Sequence, residues 1–270
     1  MQDRNAEMVE NLVQDFPTRN EYAQSGARLS DVMMWLNRDG GGSLMWAHDA
    51  QGAACYGGGS LSQWTQNNVT FANYAAVAGR GGPYVTLDGV NQYLSIANQA
   101  WQQAGAFSLL VWAWCYPTDL TNSRTLAAKY VWATNNRSWT LRYDFPSTDF
   151  LWLCNQTGPA GGNVTITSTY AAAVVDTWYF VAGYFEPSTQ MKVYVGASTD
   201  PSLTITTLTV GVPALLFPSI APLTLGADGN PSTYFIGREG IGLARVNVPA
   251  ANINSHVTRL FQATRWFYGG

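Results

Sequence analysis

The chain has 270 residues, 47% of them hydrophobic, enough to bury the core of one large domain with a small appendage. Charged residues make up only 11% and the net charge is −3, so Asn, Gln, Ser and Thr must supply most of the polar surface. That balance excludes the basic footprint of a nucleic-acid or anionic-membrane binder, and no apolar run approaches the length of a membrane span.

The first residues, Met-Gln-Asp-Arg-Asn-Ala-Glu, lack a basic stretch followed by an apolar one, so no secretory leader is expected and folding in a cytoplasm is. Met8, Val9, Leu12, Val13 and Phe16 recur at helical spacing over 4–16, and Pro17 ends that helix. Thr18-Arg19-Asn20-Glu21 is a capping box for a second helix over 19–38, with an apolar stripe of Tyr22, Leu29, Val32, Met33 and Leu36. Asp39-Gly40-Gly41-Gly42-Ser43 stops it and forms a joint. Residues 1–43 therefore read as a helical arm too small to build its own core. Its stripe must dock on the main domain, on a copy of itself or on another protein. Leu12, Val13, Phe16, Leu29, Val32, Met33 and Leu36 are the candidate assembly residues, and a homo-oligomer is expected.

From residue 44 to 270 the texture changes to short apolar or alternating runs between turn residues. Strands are expected at 83–87, 92–96, 107–116, 125–130, 138–143, 149–154, 163–168, 177–186, 190–196, 203–209, 221–226, 233–236 and 240–248. Many strands with evenly spaced turns point to a mostly β sandwich or barrel rather than alternating α/β. Cys55, Cys115 and Cys154 have no metal-type spacing, and Cys115 and Cys154 lie within apolar strand runs as small core residues.

Several segments in this order resemble the laminin-G-like branch of the concanavalin A-like lectin/glucanase superfamily. Leu87-Asp88-Gly89, Tyr93-Leu94 and Phe107-Ser-Leu-Leu-Val-Trp112 are similar to the family's opening strands. Trp178-Tyr-Phe-Val-Ala182, Met191-Lys-Val-Tyr-Val-Gly196, Leu223-Thr-Leu-Gly226 and Gly240-Ile-Gly-Leu-Ala-Arg245-Val246 are similar to its later ones. Asn252-Ile253 to Leu260-Phe261 resembles the helix that ends such domains. The resemblance implies a jelly-roll β-sandwich of the kind found in virion proteins of bacteriophages. Gly242 stands where the family often has Asp, and Gly196-Ala197 replaces Asp-Gly, so the resemblance alone does not imply the family's calcium-dependent ligand site here.

Catalytic chemistry finds little support. The resembling glucanases carry two carboxylates on one strand face, and retaining hydrolysis needs them about 5 Å apart. The five glutamates are Glu7, Glu10, Glu21, Glu186 and Glu239, and no expected strand carries such a pair. An Asp pair such as Asp144 with Asp149 leaves a glycoside hydrolase as a minor alternative. His48 and His256 are the only histidines, and no serine sits in a nucleophile elbow. Asp228 and Asn230 offer oxygens suited to Ca²⁺, but Asp-Gly-Asn is also what a tight turn needs, and no cofactor is expected. By strand alternation, Phe107, Leu109, Val111 and Ala113 face the core and Leu110, Trp112, Trp114 and Tyr116 the opposite face. Trp112 and Trp114, with Trp139, Arg142 and Trp152 from adjoining strands, form a candidate sugar-stacking face, unless a loop or the arm covers it. Two functions follow: a non-enzymatic virion component (capsid decoration, tail or fibre) bound to other virion subunits, or a carbohydrate-binding module for glycan or host attachment.

Overall fold

The computed structural model describes residues 43–48, 54–57, 60–63, 65–70, 73–78, 83–229 and 233–269. The expected arm with its assembly residues lies outside the described residues, as does Asn230.

Two antiparallel sheets form the body. The first joins, in spatial order, β15 (Thr204–Leu208), β14 (Gln190–Ala197), β13 (Tyr179–Glu186), β8 (Leu109–Pro117), β17 (Ile236–Val246), β1 (Ser43–His48), β2 (Ala54–Gly57) and β3 (Ser60–Gln63). Strand β17 pairs with β1 along its second half and with β6 (Pro83–Asp88) along its first, and β5 (Tyr74–Ala76) adds to β6. The second sheet runs β12 (Asn163–Thr167), β11 (Asp149–Asn155), β10 (Asn136–Asp144), β9 (Arg124–Val131), β16 (Leu223–Leu225), β7 (Tyr93–Ile96) and β4 (Thr65–Asn67). One α-helix is found among the described residues, α1 (Ile253–Thr264).

The mostly β sandwich is as the turn spacing implied. One expected strand is not separate: 233–235 approach β17 as a loop, and the Phe235 amide donates to Gly226 O rather than to a neighbouring strand. Strands β1 to β5 were not expected, because three- to six-residue segments give alternation too little length to register.

Between the sheets, alternate side chains interdigitate: Leu109, Val111 and Cys115 of β8 and Val181 of β13 meet Trp139 and Leu141 of β10 and Trp152 of β11. Gly183 of β13 lets the Trp152 indole reach the backbone, since a Cβ there would lie 2.3 Å from Trp152 Cδ2. Cys154 and Cys115 are buried free thiols in this layer.

A second core lies on the other face of the first sheet. Leu110, Trp112, Trp114, Phe180, Ala182, Tyr184 and Tyr194 pack under the buried stripe Ile253, Val257, Leu260 and Phe261 of α1. Polar bonds fix the helix over the sheet. Trp114 Nε1 donates to Thr264 Oγ1 at 2.8 Å, and Lys192 Nζ and Tyr194 Oη donate to Asn254 Oδ1 at 2.8 and 2.9 Å. The Ile241 amide donates to Tyr268 Oη at 2.8 Å, anchoring the segment that follows α1.

Candidate functional site

The five residues expected to form a sugar-stacking face do not share one. Trp112 and Trp114 are fully buried beneath α1, where Trp112 stacks on Phe180 at 5.4 Å and Trp114 on Tyr268 at 4.9 Å. The strand alternation was read correctly from Leu109 onward, whereas Phe107 precedes β8 and is 59% exposed rather than in the core; the chain's own C-terminal helix covers the face that carries Trp112 and Trp114. Trp139 and Trp152 point the other way, into the layer between the sheets, with ring centroids 5.6 Å apart. Of the five, Arg142 alone lies on the outer face of the second sheet, its Nη2 bonded to Asp144 Oδ1 at 2.9 Å. A tryptophan sealed from water offers no surface to a sugar, so the stacking role of these four indoles is corrected.

The outer face of the second sheet is different in chemistry. Ala128, Tyr130, Leu151 and Leu153 form a small apolar floor there, separate from the inter-sheet core. A register shift between Arg137 and Trp139 turns Arg137 to the same side as its cross-strand partner Tyr130. The β9–β10 connection then places Trp132 above this floor. Trp132 is 55% exposed, and among the residues whose side chains are described it is the one tryptophan more than half exposed.

Trp132 is held in place. The Arg137 guanidinium lies 3.7 Å from the indole centroid and 5.8 Å from that of Tyr130, while Arg137 Nη2 donates to Trp132 O at 2.9 Å. The Asn135 amide closes the turn on Trp132 O at 3.3 Å, with Asn135 at φ +56°, a conformation Asn tolerates. One face of the indole is thus occupied by a planar cation, and Trp132 is anchored through its own carbonyl. Thr134 and Asn135 beside it are exposed, and Asn136 Nδ2 is tied to Thr134 Oγ1 at 2.9 Å. Neighbouring loops buttress the turn: a Cβ on Gly158 would lie 2.6 Å from Asn135 O and 2.9 Å from Phe217 Cζ.

The electrostatics beneath the indole are cationic. Burial pushes the Tyr130 phenol above its usual value, against a downward pull from Asn163, Arg137 and Arg142. Asp228, 6% exposed, adds to the rise. Asp228 was a candidate Ca²⁺ ligand. The glycine after it serves the turn reading, since the Gly229 amide donates to Tyr130 O at 2.7 Å and ties this loop to the sheet. Among the described residues no three His, Cys, Asp or Glu side chains gather as a metal group.

The carboxylates considered for catalysis are dispersed. Glu186 accepts from Gln190 Nε2 at 2.6 Å beside the β13–β14 turn, and Glu239 is buried in β17. Asp144 and Asp149 do face each other across the β10–β11 ladder, where burial and then the Asp144 charge raise Asp149. Asp144 is engaged by Arg142 and Ser123.

Sequence reasoning missed Trp132 because it sits outside any alternating run. The available signal was a large aromatic at the edge of a polar break, Trp132-Ala-Thr-Asn-Asn136, five residues from an arginine.

A family model described as the concanavalin A-like lectin/glucanases superfamily, laminin-G type, matches residues 88–238, more than half of the chain. No curated protein sequence matches the chain. Among solved structures, domain 4 of AbnA, a GH43 extracellular arabinanase from Geobacillus stearothermophilus solved with arabinotriose, is similar at 13% identity and a TM-score of 0.58, over 82% of this chain and 99% of that one. The binding domain of Paraclostridial Mosquitocidal Protein 1 is similar at 12% identity and a TM-score of 0.58, over 82% of this chain. A structure of botulinum neurotoxin type C, whose cell entry depends on interaction with two ganglioside molecules, is similar at 12% identity and a TM-score of 0.53, also over 82% of this chain. The chain spans about half the length of the two toxin structures, 52% and 51%. At these identities the likeness is one of fold.

Proposed function

Because the chain belongs to the laminin-G-like branch of the concanavalin A-like lectin/glucanase superfamily, we propose that it is a non-enzymatic carbohydrate-binding domain whose ligand stacks on Trp132. The observation that carries this reading is the clamped indole, 55% exposed on one side and backed by Arg137 at 3.7 Å on the other. A pyranose ring presents a face of C–H groups that packs on an aromatic plane, while its hydroxyls need polar partners at the rim. Thr134, Asn135 and Asn136 stand at that rim. A platform fixed before binding loses little conformational freedom when the ligand arrives, which favours affinity. The arabinotriose complex of AbnA domain 4, which this chain matches over 99% of that domain, supports the reading as a saccharide complex of a domain of this fold.

The test is a glycan array followed by calorimetry on the full chain. Trp132→Ala is expected to weaken the best saccharide by at least about tenfold, or about 1.4 kcal/mol, with an unchanged melting temperature. Undiminished binding by a folded Trp132→Ala protein would overturn the assignment.

The second reading is a virion component folded in a host cytoplasm. Its support is the amphipathic stripe of residues 1–38 in the sequence, and it is compatible with the first, since an attachment protein is both assembled and adhesive.

A further inference from the structure

The helix-covered face of the first sheet continues past α1 into a partly open aromatic cluster. There Arg238 of β17 stands opposite Tyr116 of β8 and Thr86 of β6, with Tyr84 two residues along β6. The Arg238 guanidinium carbon lies 4.8 Å from the Tyr116 ring centroid and 5.0 Å from that of Tyr84. Trp178 backs both rings, at 5.3 Å from Tyr116 and 6.0 Å from Tyr84, and packs in turn on Tyr268 at 4.5 Å. Trp178 is buried, whereas Tyr84, Tyr116 and Arg238 are each partly exposed. Unlike Nε and Nη1 of Arg137, the guanidinium nitrogens of Arg238 are not sealed from water. The two rings fix the plane of the guanidinium and leave its N–H groups for hydrogen bonding. Asp176, exposed, is the second charge on the same ring: burial and then the Asp176 carboxylate push the Tyr116 phenol up, and Arg238 pulls it down. The Asp176 amide donates to Pro117 O at 2.8 Å, which holds this residue beside the end of β8. Among the described residues the ion pairs are Arg124 with Asp119 and Arg142 with Asp144, so Arg238 and Asp176 share a ring without bonding each other.

We propose that Tyr84, Tyr116, Arg238 and Asp176 form a second saccharide site, one that takes an uncharged sugar through a pair of neighbouring hydroxyls. A guanidinium only donates and a carboxylate only accepts, so a ligand that meets both must accept and donate, as each sugar hydroxyl does. An anion is drawn to Arg238 but repelled by Asp176, and an ammonium group meets the reverse. The two tyrosine rings offer an apolar surface to the C–H groups of the sugar, and Val175, 44% exposed, extends it beside Asp176. This site is independent of the Trp132 reading. Strand β9 starts at Arg124, whose Nη1 donates to Tyr234 O just before β17. From there β9 runs eight residues, about 26 Å, to the turn of Trp132. One short saccharide therefore cannot span both places. The chain holds two ligands, which adds avidity on a surface of repeated glycans.

The experiment titrates the methyl glycosides of glucose, galactose and mannose, and arabinotriose, into the full chain carrying Trp132→Ala. It follows the Trp178 indole N–H resonance, assigned from Trp178→Phe. At least one of the four sugars is expected to shift that resonance with saturation. Arg238→Gln and Asp176→Asn, each added separately, should weaken that sugar about tenfold, the scale of one charge-assisted hydrogen bond. If one of these variants does not fold, the other decides. No saturable shift with any of the four sugars would overturn the site, and so would an affinity unchanged by both substitutions. Tighter binding of inorganic sulfate than of every sugar would overturn the hydroxyl assignment. Because Trp132 is absent from every sample, the outcome does not depend on whether Trp132 binds a sugar.

Discussion

Glu239 sits in β17 opposite Cys115, 1% exposed, and among the described residues neither carboxyl oxygen has a hydrogen-bond partner. Burial holds this carboxyl well above the usual carboxylate range, favouring its neutral form in the folded protein. In the unfolded chain it ionises near pH ~4.3. The raised folded value means the native state holds a proton that the unfolded state gives up, so Glu239 costs stability increasingly as pH rises above that point. Glu239→Gln removes the ionisation at little change in shape. Its melting temperature should match the wild type at pH 4 and exceed it at pH 8, and a variant equal to or below wild type at pH 8 would show the carboxylate to be paired. At the same scale, Trp112 shows what was legible in the sequence. Its side of the strand followed from alternation, but whether that side was wet depended on Ile253 and Phe261, 141 and 149 residues further along. Trp112→Ala is therefore expected to lower folding free energy by about 3–5 kcal/mol, as for an indole deleted from a core. Denaturant melts read this directly, and a loss of a few tenths of a kcal/mol would contradict the covered face.

At the scale of elements, the strands with strong apolar alternation, β8 to β11, β13 and β14, were legible to within a few residues. The turns of the sandwich carry Pro, Gly or Asn with a conformational reason, including the one between β6 and β7. Asp88-Gly89 is the clearest case: Asp88 Oδ1 accepts from the amides of Val90, Asn91 and Gln92 at 2.9, 3.1 and 3.1 Å, with Gly89 at φ +73°. Burial pushes that carboxyl up, but the three amides outweigh it and hold it below the usual range. Strands β1 to β5 were not legible, since β4 and β5 have three residues each and β2 and β3 four; β1, β4 and β5 are placed by β17, β7 and β6, and β2 and β3 follow on β1, rather than by their own pattern. The terminal helix was legible as a helix through the family resemblance. Its partner was not, because an amphipathic stripe states that a face is buried without stating against what. The binding turn shows the same limit, since a register shift in β10 turns Arg137 under Trp132, and register shifts leave no mark in a hydrophobic pattern.

At the scale of the whole molecule, β1 begins at Ser43 and pairs directly with β17, so the sandwich uses the chain from that residue onward. Truncation at Gly41 keeps every described strand. The shortened protein should retain its β-type circular dichroism and its saccharide affinity, while losing any self-association measured by sedimentation. Unfolding on truncation would place residues 1–38 in the sandwich core and remove the support for an assembly arm. The central claim, that saccharide contact is made at Trp132 and not at the tryptophans of the sheets, is tested most directly by following the indole N–H resonances in a ¹H–¹⁵N spectrum during a saccharide titration. The Trp132 resonance, assigned from the Trp132→Phe variant, should shift in a saturable manner while those of Trp112, Trp114, Trp139 and Trp152 stay in place. A saturable shift at any of those four with Trp132 unmoved would contradict the account.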